Sequence, residues 1–399
     1  MHMKHSNPST ASHAERYRVI AAGVCALVLT VGLARFAYTP MLPIMRHDAG
    51  LSDLAGGWLA TFNYAGYITG ALITATVSDL QRKFQFYRLG LIAAVISTAA
   101  MGMTQDAYLW AGLRFISGVS STGGLLLASG LVLNWLIRQG HRPELGLHFA
   151  GIGLGLAVSG LVVAAMVGGH LSWQEDWIGL GLLGIAFFLP AWFWLPAPAA
   201  LQAHASQLAP RPPSRKWMNL FIAIYFCAGF GYVVSATFIV AILEKVPMFT
   251  GRGSWVWVVV GLAGVPSCFL WDRIARRMGD IPALLLSYGL QTVSILVPGL
   301  TSNAWANLFS AILYGGTFVG IVSLTLTVIG RCFPANPAKA MARLTLSYGL
   351  AQMTAPAMAG YIAAATGSYR GALFVAAGVM SAGMLLLLVL RRVEIREKP

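Results

Sequence analysis

The sequence predicts an all-α membrane protein: twelve transmembrane helices in two six-helix bundles. Three observations carry this reading. First, 57% of the 399 residues are hydrophobic and only 10% are charged, with 44 glycines besides, whereas soluble domains are about 25% charged. So much apolar surface needs lipid to cover it. Second, apolar runs of about 20 residues or more, the length that crosses a bilayer, recur along the whole chain. Third, the second half repeats features of the first at a fixed offset.

Taken in order, the runs fall at 17–44, 54–77, 86–105, 108–137, 146–169, 177–196, 217–243, 254–271, 281–301, 304–332, 340–366 and 370–391. Between the sixth and seventh, Pro196 to Lys216 holds five prolines, three basic residues and no acid, the composition of a linker. The expected organisation is a tail at 1–16, a bundle at 17–196, a linker at 197–216, a second bundle at 217–391 and a tail at 392–399. The first apolar run is too long for a signal-peptide core and no small-residue cleavage site follows it, so that helix is expected to stay in the protein. The four cysteines, Cys25, Cys227, Cys268 and Cys332, lie in or beside apolar runs without C-x-x-C spacing and read as buried thiols.

Charge sets the orientation. Lys and Arg number 27 against 13 Asp and Glu, a net +14. In a soluble chain that excess would suggest nucleic acid; in a membrane protein basic residues collect in cytoplasmic loops. With the N-terminus inside, 21 cations fall in cytoplasmic tails and loops. Only Arg46, Lys245, Arg252 and Arg370 fall outside, and Arg35 and Arg114 lie within helices. Both termini are therefore expected to be cytoplasmic.

A shift of 197 residues maps Gly32 onto Gly229, Gly56 onto Gly253, Trp58 onto Trp255, Gly118 onto Gly315 and Gly123 onto Gly320. The basic loop after the second run (Ser78 to Lys83) recurs after the eighth (Trp271 to Arg277). Parallel six-helix repeats with a substrate site between them, at mid-membrane, are a transporter architecture.

These residues resemble the major facilitator superfamily, and the resemblance covers essentially the whole chain. That superfamily carries G-x-x-x-D-R-x-G-R-[RK] between helices 2 and 3, often echoed between helices 8 and 9. The second copy here keeps Asp272, Arg273, Arg276 and Arg277; the first keeps Asp79 and Lys83. Arg114 to Gly118 is similar to the superfamily's R-x-x-x-G on helix 4. Gly32 to Pro40 and Asn63 to Gly70 resemble the bacterial YbfB/YjiJ branch. The resemblance implies the major facilitator fold in a bacterial inner membrane. It also implies a gating role for Asp79, Lys83, Asp272, Arg273 and Arg276, with the two acids pairing with basic neighbours across the cytoplasmic gate. Helix 5 departs from the antiporter pattern: Gly151 to Gly160 holds no proline.

Ionisable residues at membrane depth are costly and are functional candidates by default. By these boundaries every acid lies in a loop, a tail or at a helix end, which leaves Arg35 and Arg114. Arg35 lies about 16 Å below the outer end of helix 1 and Arg114 about 12 Å below that of helix 4, at 1.5 Å per residue. Two readings compete. One is a bound anion held by forked guanidinium donors. The other is that backbone carbonyls pin each arginine around a helix break, with Pro40 and Pro43 freeing the carbonyls. Tyr38, Asn63, Tyr64, Tyr232 and Gln352 are the mid-helix polar candidates for substrate contact or for helix-to-helix bonding; the repeat puts Tyr232 opposite Arg35. His148 reads as a solvated residue at the start of helix 5. The pairs Trp192/Trp194 and Trp255/Trp257 read as interface anchors.

The expected function is secondary active transport of a small organic solute, an anion being the candidate charge class, by alternating access. The alternatives are a multidrug or sugar efflux antiporter and, from another class, a non-transporting sensor or scaffold. No G-x-S-G, H-E-x-x-H or mid-helix aspartate suggests an enzyme, and no cofactor or metal is implied. The expected partners are the solute, membrane lipid and, as a candidate, a coupling proton; nucleic acid is not expected, and the chain is expected to be monomeric. A reporter fused after Lys398 should be active in the cytoplasm only; periplasmic activity would contradict the topology.

Overall fold

A computed structural model describes residues 13–141, 145–198, 213–333 and 337–397. These residues are helical throughout, with no strand among them. In chain order the long helical stretches are α1 (His13–Asp48), α2 (Asp53–Thr76), α3 (Leu80–Met103), α4 (Ala107–Arg138), α5 (Gly146–Gly168) and α6 (Trp173–Trp194). The second set is α7 (Arg215–Leu243), α8 (Gly253–Gly264 and Ser267–Met278, bent by 42°), α9 (Asp280–Leu300), α10 (Ala304–Cys332), α11 (Pro337–Thr366) and α12 (Arg370–Glu397). Nine of the described helices are long and apolar enough to cross a membrane, ten if the bent α8 counts as one span. The remaining two, α2 and α11, pack on each other, and their polar and small residues face protein: Gly57 lies against Pro356 and Gly360, and Thr61 donates to the Met353 carbonyl at 2.9 Å.

Several boundaries differ from the sequence expectation for local reasons. α6 starts four residues early because Ser172 and Glu175 form a reciprocal capping box. α8 breaks at Val265-Pro266, where proline removes a backbone donor. α12 runs on to Glu397, through most of the expected tail. The expected linker lies mostly outside the described residues; Ser214 caps α7 by accepting from the Trp217 N–H.

The duplication is visible in the packing. A methyl on Gly118 (α4) would overlap the carbonyl oxygen of Asn63 (α2), and one on Gly315 (α10) would overlap that of Val260 (α8). Both members of the second pair lie 197 residues beyond the first. In addition, Thr39 of α1 donates to the carbonyl of Ala236 in α7, positions separated by the same 197. Equivalent points of the two halves therefore meet face to face at the centre. Two seams join the halves: α2 with α11, and α5 with α8, where Gly153 lies against Gly264 and Val265.

Two expectations are corrected. His148 is buried, not solvated: its Nε2 lies 2.8 Å from the Ser129 hydroxyl, in a space that Gly23 of α1 leaves for the ring. Trp257 is fully buried and packs on Phe36 with ring centroids 6.1 Å apart, while its neighbour Trp255 stays exposed as an interface residue would.

Gly118→Ala and Gly315→Ala should each destabilise the fold by about 1–3 kcal/mol, read as lower melting temperatures in detergent. Unchanged melting in both would contradict the close helix approach.

Candidate functional site

The centre is built on a change of register in α1. Val28–Phe36 winds as a π-helix within an otherwise α-helical span. In i→i+5 register the carbonyl of Arg35 would look to Pro40, which has no N–H to give. Arg114 of α4 fills that vacancy. Its Nη1 donates to the Ala34 carbonyl at 3.0 Å and its Nη2 to the Arg35 carbonyl at 3.1 Å. Ser117, one turn on, donates to the same Ala34 carbonyl at 2.8 Å, and Asn63 Nδ2 reaches both the Arg114 carbonyl and the Ser117 hydroxyl. The Tyr38 ring covers the Arg114 guanidinium at 4.4 Å, and its hydroxyl donates to the Gly56 carbonyl. Arg114, Tyr38 and Asn63 are thus spent on tying α1, α2 and α4 together.

Arg35 is held differently. It is 4% exposed, yet none of the described ion pairs includes it. The guanidinium lies between the faces of Tyr64 and Tyr67, 4.6 Å from each ring centroid, with Phe36 at 5.1 Å. Desolvated cation–π contacts of this kind stabilise by about 2 kcal/mol each. Among the described residues its one side-chain hydrogen bond is long, Nη1 to the Ser121 hydroxyl at 3.5 Å, and Nε has no partner. The rings hold the faces of the guanidinium and leave an edge free.

Across from it the second half presents tyrosines. Tyr232 of α7 lies beside Tyr64, and Tyr232 and Tyr348 both lie in the electrostatic surroundings of Arg35. Gln352 of α11 donates from Nε2 to the Tyr232 hydroxyl. The space beside Arg35 and Tyr64 amounts to about 10 Å³, no more than about one water needs. The centre is closed around its own side chains.

The two ends of the molecule differ. At the end away from the basic loops, Asp53 Oδ1 accepts from Arg46 Nη2 at 2.9 Å and from the Tyr369 hydroxyl at 2.6 Å. Tyr369 in turn stacks on Phe238 of α7 at 4.5 Å. This latch joins the halves. Beside it, burial pushes the Glu244 carboxyl above the usual carboxylate range, against the opposing effects of the Gly253 N–H, Arg46 and His47. At the basic end α2, α4 and α11 part around a cavity of about 260 Å³, apolar except for Lys83 and two threonines. Ile68 of α2, seated against Gly349 of α11, stands between this vestibule and the tyrosines.

The chain matches, over residues 27–388, the model of a family described as "Uncharacterised MFS-type transporter YbfB". It belongs to that family. This MFS transporter is 23% identical to the cis,cis-muconate transport protein of Acinetobacter baylyi, covering 100% of this chain and 98% of that one. It is 22% identical to a protein of Cupriavidus necator named "Probable sulfoacetate transporter SauU", covering 92% of each. Other curated relatives are matched only in part, the chain spanning 64% of one and 38% of another. In structure it resembles the nucleoside transporter NupG: TM-score 0.74, 13% identity, 94% of this chain and 99% of that one. At that identity the likeness speaks to the fold. The family and the matched relatives are membrane transporters, not enzymes, and the fold is that of a multi-pass membrane transporter.

Of the residues singled out from the sequence, Arg35, Tyr64, Tyr232 and Gln352 converge at the centre of the transporter. The motif acids make local contacts: Asp79 caps the Gln81 N–H and lies 3.8 Å from Arg82, and Asp272 pairs with Arg276 one turn on. Lys83 lines the vestibule. Sequence reasoning missed Tyr67, Tyr225 and Tyr348. Helical spacing marks all three: Tyr67 follows Tyr64 by three, Tyr348 precedes Gln352 by four and Tyr225 precedes Tyr232 by seven.

Asp53→Asn should weaken the latch. In a Leu51→Cys background, where residue 51 is buried at that end (7% exposed), labelling by a membrane-impermeant maleimide should speed up several-fold. Equal labelling with and without Asp53→Asn would contradict a latch.

Proposed function

We propose that this transporter moves a small organic anion across the bacterial inner membrane by alternating access, with Arg35 as the anion-binding residue. The single observation that carries the reading is a buried guanidinium with a free edge and no carboxylate partner among the described residues. A charge in so low a dielectric attracts an anion far more strongly than it would in water. Muconate and sulfoacetate, named for two relatives that the chain matches over nearly its full length, are both organic anions, which supports the charge class.

Arg114 serves the site indirectly. It holds the π-helical turn that carries Arg35, so its charge is committed to backbone. Asn63 and Tyr38 belong to the same brace, while Tyr64, Tyr232 and Gln352 line the cargo.

In the proposed topology the chain crosses twelve times, α2 and α11 included, with 17–196 and 217–391 as the moving bundles and both termini cytoplasmic. The basic end is then the cytoplasmic one, and the structure is an occluded state leaning inward: periplasmic latch shut, cytoplasmic vestibule open as far as Ile68. Lys83 would draw anions toward that vestibule. Asp79 and Asp272, which have no cross-half ion pair among the described residues, would pair across the gate when the cytoplasmic end closes, with Lys83, Arg273 and Arg276 as the candidate basic partners.

Binding and counterflow in proteoliposomes test the assignment, with size-exclusion profiles reporting folding. Arg35→Gln should fold and lose binding and transport by about 10–100-fold, the worth of hydrogen bonds to a charged group. Arg35→Lys keeps the charge without the fork and should retain more. Arg114→Gln should instead reduce the yield of folded protein. Full transport by folded Arg35→Gln would overturn the proposal.

A further inference from the structure

Four buried polar atoms at the centre lack partners: Arg114 Nε and Asn63 Oδ1 lie in the brace on α1, and outside it stand Arg35 Nε and Gln352 Oε1. Both of the latter residues are almost fully enclosed, 4% and 1% exposed, and both adjoin Tyr232, one through its electrostatic surroundings and one through the bond to the phenol. The remaining surface is aromatic. Tyr225, Tyr348, Tyr232, Phe318 and Tyr314 form a column of near-parallel rings, with successive centroids 4.3, 5.5, 5.9 and 5.3 Å apart and interplanar angles of 23°, 10°, 4° and 11°. On the Arg35 side the Tyr64 and Tyr67 rings face the guanidinium.

We infer that the cargo is a flat, conjugated or aromatic monocarboxylate that carries a hydroxyl or amino donor away from the carboxylate. This rests on the assignment of Arg35 as the anion-binding residue and narrows it. One carboxylate follows from one guanidinium with a free fork: both terminal nitrogens of Arg114 are held by the Ala34 and Arg35 carbonyls, which leaves it Nε alone. A donor follows from Gln352: its Oε1 is a buried acceptor without a partner, while its amide nitrogen already donates to Tyr232. Flatness follows from the walls. With about 10 Å³ open beside Arg35, a cargo enters by parting rings, and a thin π-face replaces ring–ring contact with ring–cargo contact. A puckered saturated body of equal size forfeits that stacking, about 2–10-fold in affinity.

Binding of a set of acids to the purified full-length protein in nanodiscs, by calorimetry, tests this without a variant. The probes are 4-hydroxybenzoate, 3-hydroxybenzoate, benzoate, cyclohexanecarboxylate and 4-hydroxybenzamide. At least one hydroxybenzoate should bind tightest, benzoate several-fold weaker, cyclohexanecarboxylate weaker again, and the uncharged amide not measurably. Gln352→Leu should weaken the hydroxybenzoates several-fold more than it weakens benzoate, closing the gap between them. If cyclohexanecarboxylate binds as well as benzoate, the flat-cargo inference falls and the anion site stands. If neither hydroxyl improves on benzoate, the donor requirement falls. If no carboxylate binds, or the amide binds as well as the acids, the anion site itself falls with it.

Discussion

The centre of this transporter depends on one arrangement: a guanidinium buried on backbone carbonyls that a helix has given up. A π-helical turn followed by Pro40 leaves the Arg35 carbonyl of α1 without its register partner at membrane depth, where an unmet acceptor would cost several kcal/mol. Arg114 supplies a donor to it and another to the Ala34 carbonyl, and its own charge is dispersed over two carbonyl dipoles and the face of Tyr38. Neither partner is stable there alone. Together they fix the rotation and depth of the turn that carries Arg35, and so they decide where that buried charge points.

From that brace the rest of the central geometry follows. Asn63 and Ser117 extend it into α2 and α4, which brings Tyr64 and Tyr67 against the sides of Arg35. The second half has no arginine at the equivalent position. Tyr232 stands there, backed by its ring column and by Gln352. A duplicated scaffold has thus become chemically asymmetric, with a cation in one half facing phenols in the other. Closure at the far end is polar and specific, through Asp53, Arg46 and Tyr369; toward the vestibule the described contact is apolar, Ile68 on Gly349. A polar latch is sensitive to charge, whereas an apolar plug yields to rigid-body movement.

Much of this was legible in the sequence, and the parts that were not have physical reasons. The helices, the family, the duplication and the two intramembrane arginines follow from hydropathy, motifs and spacing. The proline-freed carbonyls also pointed to a brace. What the residues could not tell was which arginine the carbonyls would take, since that depends on a change from α to π register that leaves no mark in hydropathy. The tyrosine column was hidden because its members come from three helices distant in the chain, each unremarkable in its own helix. Likewise His148 looked like a loop-end residue because the space it enters is made by Gly23 of another helix.

The central claim is that Arg35 is the charge that binds cargo. An experimental structure of the protein with 4-bromobenzoate tests it most directly, because the bromine's anomalous signal places the ligand independently of side-chain modelling. The account predicts the carboxylate on the free edge of Arg35, within about 2.7–2.9 Å of its nitrogens, with Arg114 still on the carbonyls of α1. A ligand bound elsewhere, with Arg35 unmoved between Tyr64 and Tyr67, would contradict it.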